Sequence, residues 1–121
     1  MATASGHTEA IRATRVIGAT VYNTQGEEIG KIEDVMLDKT SNSIMYGVVG
    51  FGGFLGMGEK YHPIPWASLS FYKDKNGYVV PFSKEELKAA PAHSLKELTE
   101  NDGLGARDEA YSFYKVDPYW N

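Results

Sequence analysis

Residues 50–66 read GFGGFLGMGEKYHPIPW, and the fold turns on how this stretch is read. Five glycines fall within its first nine positions, and His62 and Trp66 follow. Such a run is either a phosphate-cradling loop or the tip of a β-hairpin. A dinucleotide fingerprint requires G-x-G-x-x-G between a strand and a helix start. Gly50-Phe51-Gly52 begins the pattern, but Leu55 holds the place of the third glycine and Gly56 comes one residue late. A P-loop requires Gly-Lys followed by Ser or Thr, whereas Gly30-Lys31 is followed by Ile32. The residues on both sides are strand-like, so the glycines are those of a long hairpin tip, where positive φ angles are needed. Phe51, Phe54, Leu55 and Met57 at this tip either fold back on the body of the domain or face a partner.

Outward from the tip, strand-like runs alternate with turn residues at short spacing, the pattern of an all-β sandwich or barrel. Downstream, Tyr61 to Leu69 carries Pro63 and Pro65 two residues apart. Their missing N–H groups fall on one lateral side of an extended chain, which predicts an edge strand or a strand end. Upstream, Ile44 to Val49 is apolar on both faces. One face is expected inside a barrel and the other under a second element or a partner. Glu28 to Asp38 breaks strict alternation between Ile32 and Val35, as a bulge or bend near Gly30 would cause. Ala19 to Tyr22 ends in the turn Asn23-Thr24-Gln25-Gly26. Leu69 to Lys73 and Tyr78 to Phe82 flank Asp74-Lys75-Asn76-Gly77, a strong hairpin signal.

The period then changes. Ser83 with Glu86, and Ser94 with Glu97, have capping-box spacing, and Phe82 with Leu87 has that of a hydrophobic staple. These predict a short helix ended by Pro91 and a second closing near Gly103. The last stretch carries Tyr111, Phe113, Tyr114, Tyr119 and Trp120, which are expected to dock on the barrel or on another subunit. The fold class is mainly β, a small barrel of about six strands with short C-terminal helices. Residues 1–15 read as a mobile tail, 16–91 as the barrel, and 92–121 as an extension packed on the barrel or on a partner subunit.

Composition narrows the function. The chain has 121 residues, enough for one core that buries roughly two-thirds of the unfolded chain's surface. The net charge is −4 with cations scattered in ones and twos, which argues against nucleic acid as a partner. No apolar run approaches the roughly 20 residues of a membrane span, and no secretory segment is evident, so direct membrane insertion is not expected and a cytoplasmic location is. The absence of cysteine removes disulfides and thiolate chemistry.

Of three histidines, His7 lies in the tail and His93 is expected to face solvent. His62 alternates with Ile64 and Trp66 and is expected on their face, partly buried and hydrogen-bonded. No nucleophile elbow such as G-x-S-x-G is present, and Glu33, Asp34 and Asp38 lack the spacing of a calcium loop. Glu33 and Asp34 read as solvated, and Asp38 as the end of its strand, accepting hydrogen bonds from the Thr40-Ser41-Asn42 turn. No catalytic residue, metal ligand or cofactor is assigned.

The order of these features resembles the PRC-barrel family, named for the cytoplasmic barrel of the photosynthetic reaction centre H subunit. The residues that carry the likeness are Gly18 with Val21, the run Glu28-Ile29-Gly30-Lys31-Ile32-Glu33-Asp34-Val35 with Asp38, Tyr46-Gly47-Val48-Val49 before the glycine tip, and Ile64-Pro65-Trp66-Ala67-Ser68-Leu69. The segment from Tyr111 to Trp120 is similar to the tail of free-standing bacterial members. The resemblance implies a small β-barrel that serves as a non-enzymatic adaptor, binding other proteins or itself, as a homodimer or larger homo-oligomer. Candidate contact residues are Phe51, Phe54, Leu55 and Met57 at the tip, with Tyr111, Tyr114, Tyr119 and Trp120 in the tail. The alternative is a small-ligand or metal-ion binder that uses the barrel mouth at Tyr61, His62 and Trp66.

Overall fold

The computed structural model describes residues 9–51 and 60–120. Six strands form one sheet: β1 (Thr20–Tyr22), β2 (Glu28–Leu37), β3 (Ile44–Gly50), β4 (Tyr61–Pro65), β5 (Ser70–Tyr72) and β6 (Gly77–Val79). Their order is β4-β3-β2-β1-β6-β5. All neighbours are antiparallel except β1 and β6, which run parallel with Val21 opposite Tyr78. Four helices are α1 (Ala13–Val16), α2 (Lys84–Ala89), α3 (Leu95–Thr99) and α4 (Leu104–Tyr114).

The expected barrel is open at one seam. Consecutive strands β4 and β5 stand at opposite ends of the ladder, joined only by the 3-10 turn Trp66–Ser68. The prolines explain the seam. Tyr61, Pro63 and Pro65 share one lateral side of β4. The Tyr61 N–H donates to the His93 carbonyl at 2.8 Å, and the two prolines have none to donate. β4 is thus an edge strand, as the sequence predicts. Its outward side is covered by α4, so Pro63 and Pro65 are buried.

The bend in β2 is real and has two parts. Ile29 is unpaired between Val21↔Gly30 and Tyr22↔Glu28, and Glu33 is unpaired between Ile32↔Val49 and Asp34↔Val48. The extra residues explain the broken alternation and bend β2 around the sheet. The remaining local signals hold. Gly26 closes its turn at φ +81°, with Asn23 Oδ1 accepting from the N–H groups of Gln25 and Glu27 at 3.0 Å. Asn76 takes the left-handed conformation in the β5–β6 hairpin. Ser83 with Glu86 and Ser94 with Glu97 form both capping boxes.

Two apolar clusters use the two faces of β3. Val49 belongs to the main core with Val21, Ile29, Ile32, Ile64 and Val80. Tyr46 and Val48, on the other face, pack with Met45 and with Leu98 and Ala106 from the C-terminal helices. The cover for the doubly apolar strand is therefore this chain's own, and residues 92–120 pack on their own sheet. α4 also sends Ala110 and Tyr114 into the main core.

Three expectations are corrected here. α3 ends at Thr99 instead of near Gly103; Asn101, Asp102 and Gly103 follow with positive φ, and α4 begins at Leu104. The start of the ordered fold lies before residue 16, because Arg12 accepts from the Arg15 N–H at 2.8 Å to open α1. His93 does not simply face solvent. It pairs by backbone with Tyr61 in both directions, and its Nε2 lies 2.7 Å from Glu109 Oε1.

Candidate interaction surface

The apolar candidates divide by burial. Phe51 is 3% exposed and lies in the main core, with its ring 4.5 Å from that of His62. This root of the glycine-rich stretch is folded back, while Phe54, Leu55 and Met57 lie outside the described residues. In the tail, Tyr111 and Tyr114 are buried against their own chain and are packing residues of the fold. Tyr119 and Trp120 are half-buried in a strap that returns over the sheet. The Tyr119 hydroxyl donates to Asp38 Oδ2 at 2.8 Å, and the Arg107 guanidinium stacks 3.7 Å from the Trp120 ring.

The two buried tail tyrosines differ in one respect that can be measured. The Tyr111 hydroxyl donates to the Met45 carbonyl at 2.6 Å, whereas the Tyr114 hydroxyl is buried without a partner among the described residues. A satisfied buried hydroxyl contributes about 1 kcal/mol, and an unsatisfied one costs 1–3 kcal/mol or so. Tyr111→Phe should therefore destabilise by about 1 kcal/mol and Tyr114→Phe should stabilise by roughly the same amount. Urea midpoints of the two variants check both signs.

Tyr61, His62 and Trp66 do not form one site. Tyr61 packs against the outer cluster, and its neighbour His62 points to the opposite face. Trp66 lies in the 3-10 turn against the main core, 5.6 Å from the ring of Tyr78. No cluster of three or more histidine or carboxylate side chains able to hold a metal ion occurs among the described residues.

His62 is 1% exposed, and its Nδ1 has no partner among the described residues. Burial holds its pKa down at about 4; a hydrogen bond at Pro91, which only the carbonyl of that proline can accept, opposes the shift weakly, and His93 adds to it. The unfolded chain takes up this proton near pH 6.5, the folded chain only near 4. Stability from this group is thus complete above pH 6.5 and lost as pH falls from 6.5 to 4, by on the order of 3 kcal/mol. Chemical denaturation at stepped pH should show that slope, and His62→Leu should flatten it. Asp38 acts in a lower window. The Tyr119 hydroxyl, then the N–H groups of Thr40 and Ser41, hold it at about 2, so its contribution fades only as pH falls below the ordinary carboxylate range.

A wide concavity lies elsewhere, between the N-terminal segment and the β5–β6 hairpin. It is a solvent-open groove of about 930 Å³. Ile11, Ile17 and Phe71 line it and are all substantially exposed, Phe71 by 45%. Tyr78 carries the apolar lining inward, with Phe71 edge-on at 5.4 Å on one side and Trp66 on the other. Among the described residues, Arg12, Arg15 and Lys73 stand around it against the single carboxylate of Glu9. No ion pair to these three cations is present among the described residues. Sequence reading passed over this surface because its parts lie some sixty residues apart, and Ile11 and Ile17 sit in a segment without periodicity.

The open seam, the bulged β2, the doubly covered β3 and the proline-guarded edge set the context for one comparison. The model of the PRC-barrel domain matches residues 8–88. The chain belongs to the PRC-barrel family. A search of curated proteins finds no match. The family match takes in every strand, α1 and most of α2, and with them the whole lining of the groove. The PRC-barrel domain here is completed from outside the match, since Leu98, Ala106, Ala110 and Tyr114 all lie beyond residue 88. No helix among the described residues is long and apolar enough to cross a membrane.

Proposed function

We propose that this PRC-barrel chain is a non-enzymatic adaptor that binds another protein or a second copy of itself. The observation that carries the reading is the gathering of Ile11, Ile17 and Phe71 at one solvent-open groove. Large apolar side chains left in contact with water at a concavity favour association, and aromatic residues most often anchor it. The imidazoles support the same reading. His62 is sealed in the core, and His93 is engaged by Glu109.

Sedimentation equilibrium over a wide concentration range tests self-association. Self-association through the groove would raise the average mass above 13.3 kDa with concentration, and Phe71→Ser would remove that rise. A single 13.3 kDa species at every concentration would restrict the reading to foreign partners. A photo-crosslinking residue at position 71, activated in living cells, then decides: adducts with another chain are expected, and their absence would overturn the adaptor reading.

A further inference from the structure

We infer that the groove between the N-terminal segment and the β5–β6 hairpin binds an acidic peptide segment carrying apolar side chains, supplied by a different protein. The inference rests on the adaptor reading and adds the surface and the chemistry of its partner. Charge decides the class. The chain as a whole is acidic, with net charge −4, yet the groove brings Arg12, Arg15 and Lys73 together with Glu9 as the only acidic residue of its lining among the described residues. In sequence these cations are scattered; the fold collects them by bringing the β5–β6 hairpin beside the N-terminal segment. Among the described residues no carboxylate pairs with them, so they can meet a partner charge from outside the fold. The guanidinium groups of Arg12 and Arg15 present planar forks suited to carboxylates.

The apolar part of the occupant follows from what lies between the cations. Ile11, Ile17 and Phe71 offer exposed contact area, and the Tyr78 ring continues it toward the core. A segment that alternates acidic and large apolar side chains satisfies both features at once. The other classes fit less well. Nucleic acid needs more positive charge than three cations on an acidic chain. A membrane surface takes up a long amphipathic helix or a convex face, and here the surface is concave and α1 has four residues. A small molecule is held by a closed pocket that buries most of its surface, whereas this groove is open. A second copy would bring its own net negative charge, but its most aromatic segment is already strapped to Asp38 and Arg107.

The test is fluorescence anisotropy with the full chain and three labelled nonapeptides. One alternates Glu with Phe and Leu, one replaces each Glu by Gln, and one replaces each Glu by Lys. Only the acidic peptide should bind, and its affinity should fall at least tenfold in R12E/R15E and also weaken with added salt. Both arginines are exposed, so the double variant should keep the melting temperature of the parent chain. Phe71→Ser should weaken binding at low and high salt alike, which separates the apolar contact from the ionic one. Equal binding of the acidic and Gln peptides, no effect of R12E/R15E, or no binding of any peptide would overturn the proposal. So would tighter binding to phosphatidylserine vesicles than to the acidic peptide. Loss of self-association in R12E/R15E without peptide binding would identify the occupant as a second copy, which overturns the foreign peptide and leaves the adaptor reading standing. Crosslinks from position 71 with no charge preference among the peptides would likewise remove this inference alone.

Discussion

A chain stopped after Pro91 should lose its cooperative unfolding transition, although it retains all six strands and the whole family match. The deletion takes away Leu98 and Ala106, which cover Tyr46 and Val48 on the outer face of β3. It also removes Ala110 and Tyr114 from the main core, and Tyr111 with its hydrogen bond to the Met45 carbonyl. Burial of a large apolar side chain stabilises by about 1.5–3 kcal/mol, so the loss comes to roughly 10 kcal/mol. Domains of this size have only about 5–15 kcal/mol in total. The Tyr61 backbone also loses both of its bonds to His93, leaving its edge groups to water.

The expected products are a sheet with fluctuating packing, strong binding of a hydrophobic dye and loss of the near-ultraviolet dichroism of the aromatics. Association of the truncated chain should proceed through the uncovered face of β3 and not through strand addition at β4, because Pro63 and Pro65 still present no donors there. Leu98→Ala in the full chain provides the graded version. It should cost about 2–4 kcal/mol while keeping a single transition. A truncated chain that melts cooperatively within a few degrees of the full one would make α3 and α4 an appendage and not part of the core. Calorimetry on the two chains makes the comparison.

Most of the strand framework was legible in the sequence because its signals are local. Pro63 and Pro65 marked β4 as an edge through the chemistry of a missing N–H, and the structure places it at one end of the ladder. Asn76-Gly77 marked a hairpin, and two Ser-x-x-Glu pairs marked helix starts that both form capping boxes. α4 was not legible, for a physical reason. Its buried residues Ala106, Ala110 and Tyr114 do recur every four positions, but two are alanines, which carry almost no hydrophobic signal. Its N-cap is Gly103 and its second residue is Gly105, and glycines there weaken any local helix preference. With α4 unplaced, the partner of His93 could not be foreseen, since Glu109 lies sixteen residues away on that helix. The groove was illegible for a similar reason: Arg12, Arg15 and Lys73 meet only through tertiary contact. Which of the tail aromatics dock, and on what, only packing could decide: Tyr111 and Tyr114 turn inward, whereas Phe113 stays exposed.

Gly30→Ala should destabilise the chain by about 2–4 kcal/mol, among the largest effects of any one-carbon change in it. Gly30 sits where β2 bends, paired with Val21 on one side and facing the Gly50–Phe51 backbone on the other. A Cβ here would overlap the Gly50 carbonyl oxygen and stand 3.0 Å from both Gly50 C and Phe51 Cα. All three obstacles are backbone atoms, so no rotamer change relieves the overlap. β2 and β3 would have to part, although β2 is held by ladders on both of its sides. The displacement passes directly to Phe51 and through its ring to His62. Admission of water to His62 would bring its folded pKa back toward the ordinary value, so Gly30→Ala should also flatten the stability slope between pH 6.5 and 4. Gly105→Ala provides the opposite case. Its added Cβ meets nothing within 4 Å on the exposed first turn of α4, and the change should stabilise by about 0.5–1 kcal/mol through helix propensity and the unfolded chain. Denaturant midpoints of the pair measure the contrast. A Gly30→Ala chain within about 0.5 kcal/mol of the parent would mean that the sheet can open at this bend without cost, and that the close approach of β2 to β3 is not what holds the glycine-rich stretch at its root.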